Sequence, residues 1–258
     1  MFWTVVDPVL PSVCPLALSP ARRHHAPPSN PFDVRARHGG QGSMVVQMNV
    51  QNPTRLECLR GKDSWYCDAG DLMTLARGYA EVLLDLGTGD GRYARALART
   101  HPDWLAIGVD ACREGLRGRS RVASVGDNAL FVIANALALP SGLTGLATRL
   151  AINFPWGSLL RGLLDGDQGL LDGLCTDTRP GAILECRLNG GALAEVGRTL
   201  DDGAAQARRM LRAAGFVPDA PLILDAQALS ACPTTWAKRL AHGRDPRAVY
   251  LRAVRADV

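Results

Sequence analysis

The sequence contains no C-x-x-C pair, no apolar run of membrane-spanning length and little net charge, and each shortage removes a class of function. Its seven cysteines (Cys14, Cys58, Cys67, Cys112, Cys175, Cys186 and Cys232) are odd in number and irregularly spaced. That pattern speaks against a zinc site or a disulfide framework and for a reducing cytoplasm, so no metal is expected. A membrane helix needs about 20 consecutive apolar residues, and the absence of such a run excludes a membrane partner. The opening "MFWTVVDPVLPSVCPLALSP" is apolar but lacks a basic start and carries Asp7 and repeated prolines, so it does not read as a signal peptide. A formal net charge of +4 excludes a general polycation; any nucleic-acid surface must come from local clustering of the 29 Lys and Arg. There is no internal repeat, and nothing calls for an obligate dimer, so a monomer is expected. What remains is a chain of 258 residues, 47% hydrophobic, ample for one α/β domain with a substantial core.

Residues 1–43 differ in character from the rest. "SPARRHHAPPSNPFDVRARHGGQGS" is rich in Pro, Gly, Arg and His without periodicity, and is expected to be a disordered leader to a single domain at 44–258. Between about 45 and 66, β-prone pieces surround "RGKDS" and predict an N-terminal hairpin. Beyond it, Asp71 can cap a short helix to Tyr79, "AEVLLDLG" reads as a buried strand, "RYARALARTH" as an amphipathic helix and "WLAIGVD" as the next strand. A basic helix at Arg113–Arg121 leads to the strands "ALFVIAN" and "TRLAINF". Helices then cover roughly 157–177, a strand falls at "AILECRL", a helix at about 203–214 ends at Gly215, and late strands lie near 221–226 and 247–254. Strand–helix alternation at this spacing predicts an α/β fold with a parallel sheet covered by helices on both faces.

"LLDLGTGDGRYA" places Gly87, Gly89 and Gly91 directly between a strand and a helix. Glycines permit a sharp turn and leave room for a ligand against bare backbone. The following strand ends in Asp110, where a carboxylate can accept both hydroxyls of a ribose. This spacing suits a dinucleotide or S-adenosylmethionine. The dinucleotide fingerprint G-x-G-x-x-G/A, however, requires a small residue where this chain has the bulky Arg92. The G-x-G-x-G form after the acidic Asp85 instead resembles the first motif of class I methyltransferases, in which the acid lies near the methionine amino group and the glycines near its carboxylate.

In "INFPWGSLL" (152–160) an apolar strand stops at Pro155, which has no N–H for a sheet ladder, and presents Trp156 beside a glycine. In an open parallel sheet the strand end here borders the cofactor crevice, with Ser158 beginning the next helix. The bland alternative is a core Trp covering the sheet edge. "TTWAKRLAHGRDPR" (234–247) argues otherwise: Trp236 opens a short helix carrying Lys238, Arg239 and His242, which ends at Gly243 and is followed by Arg244 and Arg247. Basic residues against a helix dipole and a glycine C-cap explain the charges but not the Trp. Two indoles from distant parts of the chain can hold a flipped base between their faces, each stacking contact contributing about 1–3 kcal/mol.

Together "DLGTGDGR", "FVIANALALP", "FPWGSLLRG" and "WAKRLAHGR" resemble, in order from about Leu56 to Arg252, the 16S rRNA (adenine-1408) N1-methyltransferases that confer aminoglycoside resistance. The resemblance implies a class I S-adenosylmethionine-dependent, Rossmann-like fold with a mostly parallel sheet. It implies the small ribosomal subunit as partner and S-adenosyl-L-methionine as cofactor. Trp156 and Trp236 would sandwich the target adenine in a slot one purine thick, with main chain at Phe154–Pro155 orienting it. The cofactor would lie against Asp85, Gly87, Gly89, Gly91, Asp110, Ala136, Leu137, Phe154 and Ser158. Arg239 and Arg244, with Lys238 and Arg247 beside them, would hold rRNA phosphates, as would Arg113 and Arg117 on the basic helix. The chain departs from the family at Leu137, where a Glu is usual and where neighbouring Asn135 offers the replacement polar group. It is also shorter between Asp110 and Phe131 and between Glu185 and Phe216. Three rival readings are a tRNA guanine-N7 methyltransferase, a small-molecule methyltransferase, and a degenerate methyltransferase-like protein that binds RNA without catalysis. The first two lack a reason for the "WAKRLA-GR" element.

Overall fold

Strand and helix alternate along most of the computed structural model, which describes residues 55–60, 63–120 (117–120 as main chain), 128–243 and 247–257. The expected leader at 1–43 and the first part of the expected hairpin lie outside these residues. The chain runs through β1 (Leu56–Arg60), β2 (Asp63–Cys67), α1 (Ala69–Ala76), β3 (Glu81–Leu86), α2 (Arg92–Thr100), β4 (Trp104–Asp110), α3 (Arg113–Ser120) and β5 (Ala129–Ile133). A short 3-10 turn at Ser141–Leu143 precedes β6 (Ala147–Asn153), α4 (Gly157–Asp165), α5 (Gln168–Thr176) and β7 (Thr178–Asn189). Then follow α6 (Gly190–Glu195), α7 (Leu200–Ala213), β8 (Phe216–Pro218), β9 (Leu222–Leu224), α8 (Ala226–Ala231), α9 (Thr235–Ala241) and β10 (Ala248–Arg255).

All the strands described join one sheet, in the order β2-β1-β5-β4-β3-β6-β7-β10-β8, with β9 also on β10. The five central strands are parallel, as the alternation requires. The outer strands are not: β1 runs antiparallel to β2 and β5, and β10 antiparallel to β7, β8 and β9. The mostly parallel sheet that was expected thus takes the form of a parallel centre with antiparallel margins. Of these antiparallel pairs, β1 and β2 follow one another directly, and a direct reversal pairs them antiparallel. From β3 the chain builds outward in one direction through β4 and β5, then returns to place β6 and β7 on the other side. The switch therefore falls between β3 and β6, where the ends of adjacent strands diverge and leave a crevice.

Both faces of the sheet are covered. One carries the larger core, in which Leu84, Leu86, Ile107, Val109, Leu130 and Ile152 meet Leu159, Leu163 and Leu164 of α4, Leu170 and Leu174 of α5, and Ala207 and Leu211 of α7. On the other, Leu83, Ala106, Phe131 and Ala151 meet Tyr93, Ala94 and Ala98 of α2. Each fully buried Leu or Phe contributes about 1.5–3 kcal/mol relative to exposure, so these layers fix the strand ends that shape the crevice.

Several local expectations shift. Asp68, not Asp71, is the N-cap of α1; Asp71 is its reciprocal partner three residues on, so the two form a capping box and the helix stops at Ala76. The helix α7 starts at Leu200 behind a Thr199 cap, earlier than expected, and α9 ends at Ala241 rather than at Gly243. Cys58 and Cys67 are joined as a disulfide between β1 and β2, where the cysteine pattern gave no reason for one. The hairpin register explains it: Cys67 lies opposite Leu56, two residues from Cys58 on the same face.

Asp177, between α5 and β7, is 2% exposed. One carboxylate oxygen accepts from the Thr176 hydroxyl, while Oδ2 has no partner. Burial raises its pKa to about 6, against smaller opposing contributions from Thr176 and Thr144. A folded-state pKa above the unfolded value means stability that is complete below the unfolded pKa and lost as pH rises through about 6. Asp177→Asn should therefore raise stability near pH 8 by about 1–2 kcal/mol and change it little near pH 4. Urea midpoints of the two chains at the two pH values check this.

Candidate active site

The crevice at the β3–β6 switch opens into a cavity of about 400 Å³, within the roughly 300–1,000 Å³ of small-molecule sites. Its first wall is the turn after β3. Gly87, Gly89 and Gly91 all have positive φ (68°, 59° and 68°), a region that L side chains avoid. Their tasks differ. A Cβ on Gly91 would lie 2.4 Å from Phe131 Cε1, so Gly91 lets the loop pack onto the sheet; it is buried and does not line the cavity. A Cβ on Gly89 would meet nothing within 4 Å, and this glycine faces the open cleft.

Asp85 and Asp110 supply the carboxylates. Asp110, at the end of β4, accepts from Gly89 N–H and from Cys112 N–H, both at 2.8 Å, which pins the glycine loop to the neighbouring strand. Asp85 is 1% exposed. It accepts from Thr88 Oγ1 at 2.5 Å and from Asn153 Nδ2 at 3.1 Å. Burial raises its pKa to about 6, against the pull of these two donors and of the Arg187 guanidinium, while Asp110 adds a smaller upward push. Both acids line the cavity, and every carboxylate oxygen retains a lone pair for a ligand.

The opposite wall is the segment after β6. Phe154 is the only non-glycine residue with positive φ (51°) among those described. For a buried aromatic residue this conformation is costly and must be held by its surroundings. Its N–H donates to Arg187 C=O at 2.8 Å, and its ring packs with Leu229, Cys232, Ala237 and Ala248 beneath α8 and α9. Pro155 follows, then Trp156 as the N-cap of α4, and Gly157 with φ of 57° turns the chain into that helix. The Phe154 anchor thus ties the Trp156 segment to the helices that carry Trp236. A second tie reaches the glycine loop, since Thr235 Oγ1 donates to Asp90 Oδ2 at 2.7 Å.

These ties bring the two tryptophans together. Trp156 and Trp236 come from positions 80 residues apart, and their rings stack with centroids 5.6 Å apart and planes 11° from parallel. Each is 42% exposed, which removes the reading of Trp156 as a core residue. The open slot one purine thick is corrected: the rings occupy each other's faces. Admitting a base between them requires a separation of two stacking steps, each about 3.4 Å. The Arg239 guanidinium lies over the Trp236 ring, 5.3 Å from its centroid, so the outer face of the stack carries a cation.

The cavity is lined by Asp85, Gly87, Gly89, Asp110, Ala136, Phe154, Pro155, Trp156, Ser158 and Trp236. Leu137 is not among the lining residues; its side chain turns toward Gly162 of α4, and its N–H donates to Asn135 Oδ1 at 3.0 Å. Asn135 does line the cleft. The lining also includes Thr88, Asp90, Tyr93, Asn153, Thr234 and Thr235, which the motifs did not single out. The T-x-D pattern inside the glycine loop and the paired threonines ahead of Trp236 were signals available for four of them. Lys238 and Arg239 are exposed on α9, and Arg247 is exposed just before β10. Arg113 is already engaged, with Nη1 at 2.8 Å and Nη2 at 2.5 Å from the two carboxylate oxygens of Glu57. Arg244 and the side chain of Arg117 lie outside the described residues.

Among the described residues no cluster of three or more His, Cys, Asp or Glu could hold a metal ion, and no helix is long and apolar enough to cross a membrane. A family model described as 16S rRNA (adenine(1408)-N(1))-methyltransferase matches residues 57–255. A curated protein of that name from Streptoalloteichus hindustanus is 36% identical over 184 residues, covering 65% of this chain and 83% of the relative. A solved 16S rRNA (adenine(1408)-N(1))-methyltransferase from Catenulisporales acidiphilia, a tryptophan-to-alanine mutant with cosubstrate S-adenosylmethionine, superposes with a TM-score of 0.67 at 26% identity, over 78% of this chain and 97% of that one. The solved aminoglycoside resistance methyltransferase NpmB1 superposes with a TM-score of 0.64 at 30% identity, over 78% and 100%. The fold is that of class I S-adenosylmethionine-dependent methyltransferases, and the chain belongs to the 16S rRNA (adenine(1408)-N(1))-methyltransferase family.

Proposed function

We propose that this protein methylates N1 of the decoding-site adenine in the 16S rRNA of the small ribosomal subunit, using S-adenosyl-L-methionine, and thereby confers aminoglycoside resistance. The single observation that carries this reading is the exposed, stacked pair Trp156 and Trp236 on the rim of a cleft holding two carboxylates and a glycine loop. The cleft fits the cofactor: Asp85 is an acid without a cationic partner in direct contact, Asp110 faces the same space, and open room lies where a Cβ on Gly89 would stand.

Bound S-adenosylmethionine supplies a methyl group on a positively charged sulfur. The residues of this chain do the rest. Asp85 would hold the methionine ammonium, Asp110 the ribose hydroxyls, and the main chain at Gly87–Gly89 the carboxylate. Adenine N1 carries an in-plane lone pair and no proton, so the site requires position rather than a general base. Trp156 and Trp236 open to receive the flipped base and fix its edge toward the cleft. Their π faces favour the positive charge that N1 acquires. Lys238, Arg239, Arg244 and Arg247 give salt-dependent attraction to rRNA phosphates, while folded-RNA shape gives specificity. A methyl and a charge on N1 then spoil the hydrogen bond that an aminoglycoside makes at that edge.

The test is incubation of the protein with labelled cofactor and, separately, assembled small subunits, free tRNA or no RNA, with the modified base mapped by primer extension. Label in the small subunit at the decoding-site adenine is the expected result. Label in tRNA, or none in any RNA, overturns the reading.

A further inference from the structure

From the floor of the cleft a chain of buried and half-buried polar groups runs across the sheet, and the proposed chemistry uses it only at one end. It begins at Asp85 on β3, which accepts from Asn153 Nδ2 at 3.1 Å at the end of β6. Asn153 Oδ1 accepts from Arg187 Nη1 at 2.8 Å on β7. Arg187 Nη2 lies 3.5 Å from Glu185 Oε1, and Glu185 accepts from the hydroxyls of Tyr250 (2.5 Å, on β10) and Tyr93 (3.2 Å, on α2). The guanidinium stands over the rings of both tyrosines, 4.9 Å and 5.6 Å from their centroids. The strand register builds this arrangement, because Arg187 is opposite Asn153 on one side and Tyr250 on the other.

A half-buried Arg–Glu pair could be explained as structure alone. The link through Asn153 is a different matter. An amide side chain can present either its oxygen or its NH₂ to a neighbour, and a guanidinium has only donors. Arg187 therefore compels Asn153 to turn its oxygen inward and its NH₂ toward Asp85. Were the amide to reverse, its oxygen would face a carboxylate. In addition, the Arg187 main-chain carbonyl holds the N–H of Phe154, the residue in the left-handed conformation from which Pro155 and Trp156 extend.

We infer that Arg187 is a positioning residue for the cofactor: through Asn153 it keeps Asp85 charged and aimed into the cleft, and through its main chain it sets the course of the Trp156 segment. The inference rests on the reading that the cleft binds S-adenosylmethionine. The groups facing Asp85 are Thr88 on its own loop, Asn153 on β6, Arg187 on β7, Asp110 on β4 and Tyr93 on α2. Among them Arg187 is the one cation, set against the buried setting and Asp110, both of which favour the neutral acid. Without it, Asp85 must be ionised at a higher pH before it can hold an ammonium.

Calorimetric titration with S-adenosylmethionine from about pH 5.5 to about pH 9 tests this in the unsubstituted chain, Asn153→Leu, Arg187→Met and Arg187→Lys. The unsubstituted protein should bind progressively more weakly below about pH 6. Asn153→Leu and Arg187→Met should move that midpoint upward by about one unit, weakening binding about fivefold at pH 6 and about tenfold well below it, with affinity recovered near pH 9. Arg187→Lys, which keeps the charge, should restore most of the midpoint. An unmoved midpoint in Asn153→Leu, or a loss equal at every pH, overturns the inference while leaving the reading of the cleft intact. Should Arg187→Met show no cooperative urea transition, Asn153→Leu alone decides. No heat of binding from the unsubstituted chain at any pH overturns the reading itself, and the inference with it.

Discussion

Replacing Trp236 by alanine should lower methylation of small subunits by at least about 100-fold and leave the affinity for S-adenosylmethionine within about threefold. The ring is 42% exposed and stacks on Trp156, so its removal takes away one whole face of the proposed base site without opening the core. The helix beneath survives, because the Thr234 side chain still caps α9 by accepting from Ala237 N–H and Ala237 remains buried. A lost base–indole stack costs about 1–3 kcal/mol, equivalent to roughly 5–150-fold. A base no longer fixed between two planes also loses the in-line approach, worth about 100-fold for a displacement of about 1 Å. Trp236→Phe should fall between, since a smaller face remains. Asp85, Asp110 and Gly89, the groups proposed to hold the cofactor, belong to other elements and keep their contacts. Methylation at the full rate by Trp236→Ala sinks the base sandwich; a parallel loss of cofactor affinity assigns Trp236 to the cofactor instead.

The features legible in the sequence are those in which the backbone itself dictates the residue. Gly89 faces the cleft and Gly91 lies against Phe131, both at positive φ, and a loop making these demands can be read from G-x-G-x-G alone. Pro155 and Gly157 likewise show where β6 must stop and α4 must start. The parallel pairing of the central strands followed from alternation, because parallel neighbours need a long crossover, which here is helical, whereas their order is seen only in the structure.

What escaped depended on partners that only register supplies. "AILECRL" reads as a buried strand, and its two charges, Glu185 and Arg187, gain meaning only when β6 and β10 place Asn153 and Tyr250 beside them. Their two-residue spacing within an inner strand was the available clue, since charges on one face of a covered sheet require partners. Leu137 was carried over from a motif, but the side chain packs toward Gly162. The capping box of Asp68 and Asp71 was missed by position rather than by kind, because either Asp is a suitable cap and the register of the turn decides. The closed state of the tryptophan pair was beyond any sequence pattern: it follows from the Phe154 ring under α9 and from the Thr235–Asp90 hydrogen bond, contacts between residues more than 70 positions apart.

Asp110→Ala should weaken S-adenosylmethionine binding by at least about 100-fold while the fold persists. Two losses act together. One is the carboxylate proposed to face the ribose: hydrogen bonds to a charged group contribute about 1.5–3 kcal/mol each, and two hydroxyls bring the total to about 3–6 kcal/mol, or roughly 100-fold and upward. The other is the anchor of the glycine loop, because Asp110 Oδ2 accepts Gly89 N–H and Oδ1 accepts Cys112 N–H. Both donors are solvent-accessible, so water takes over their hydrogen bonds and urea unfolding should change little. The loop nevertheless loses the contact that holds Gly89 against the cleft. Asp110→Asn separates the two losses: one oxygen still accepts, the NH₂ cannot face a main-chain donor, and about tenfold weaker binding is expected. Calorimetry on the three chains near pH 8, where Asp85 is ionised, isolates the effect from titration of the neighbouring acid. Equal affinities across the three would remove Asp110 from the cofactor site and leave it with the loop alone.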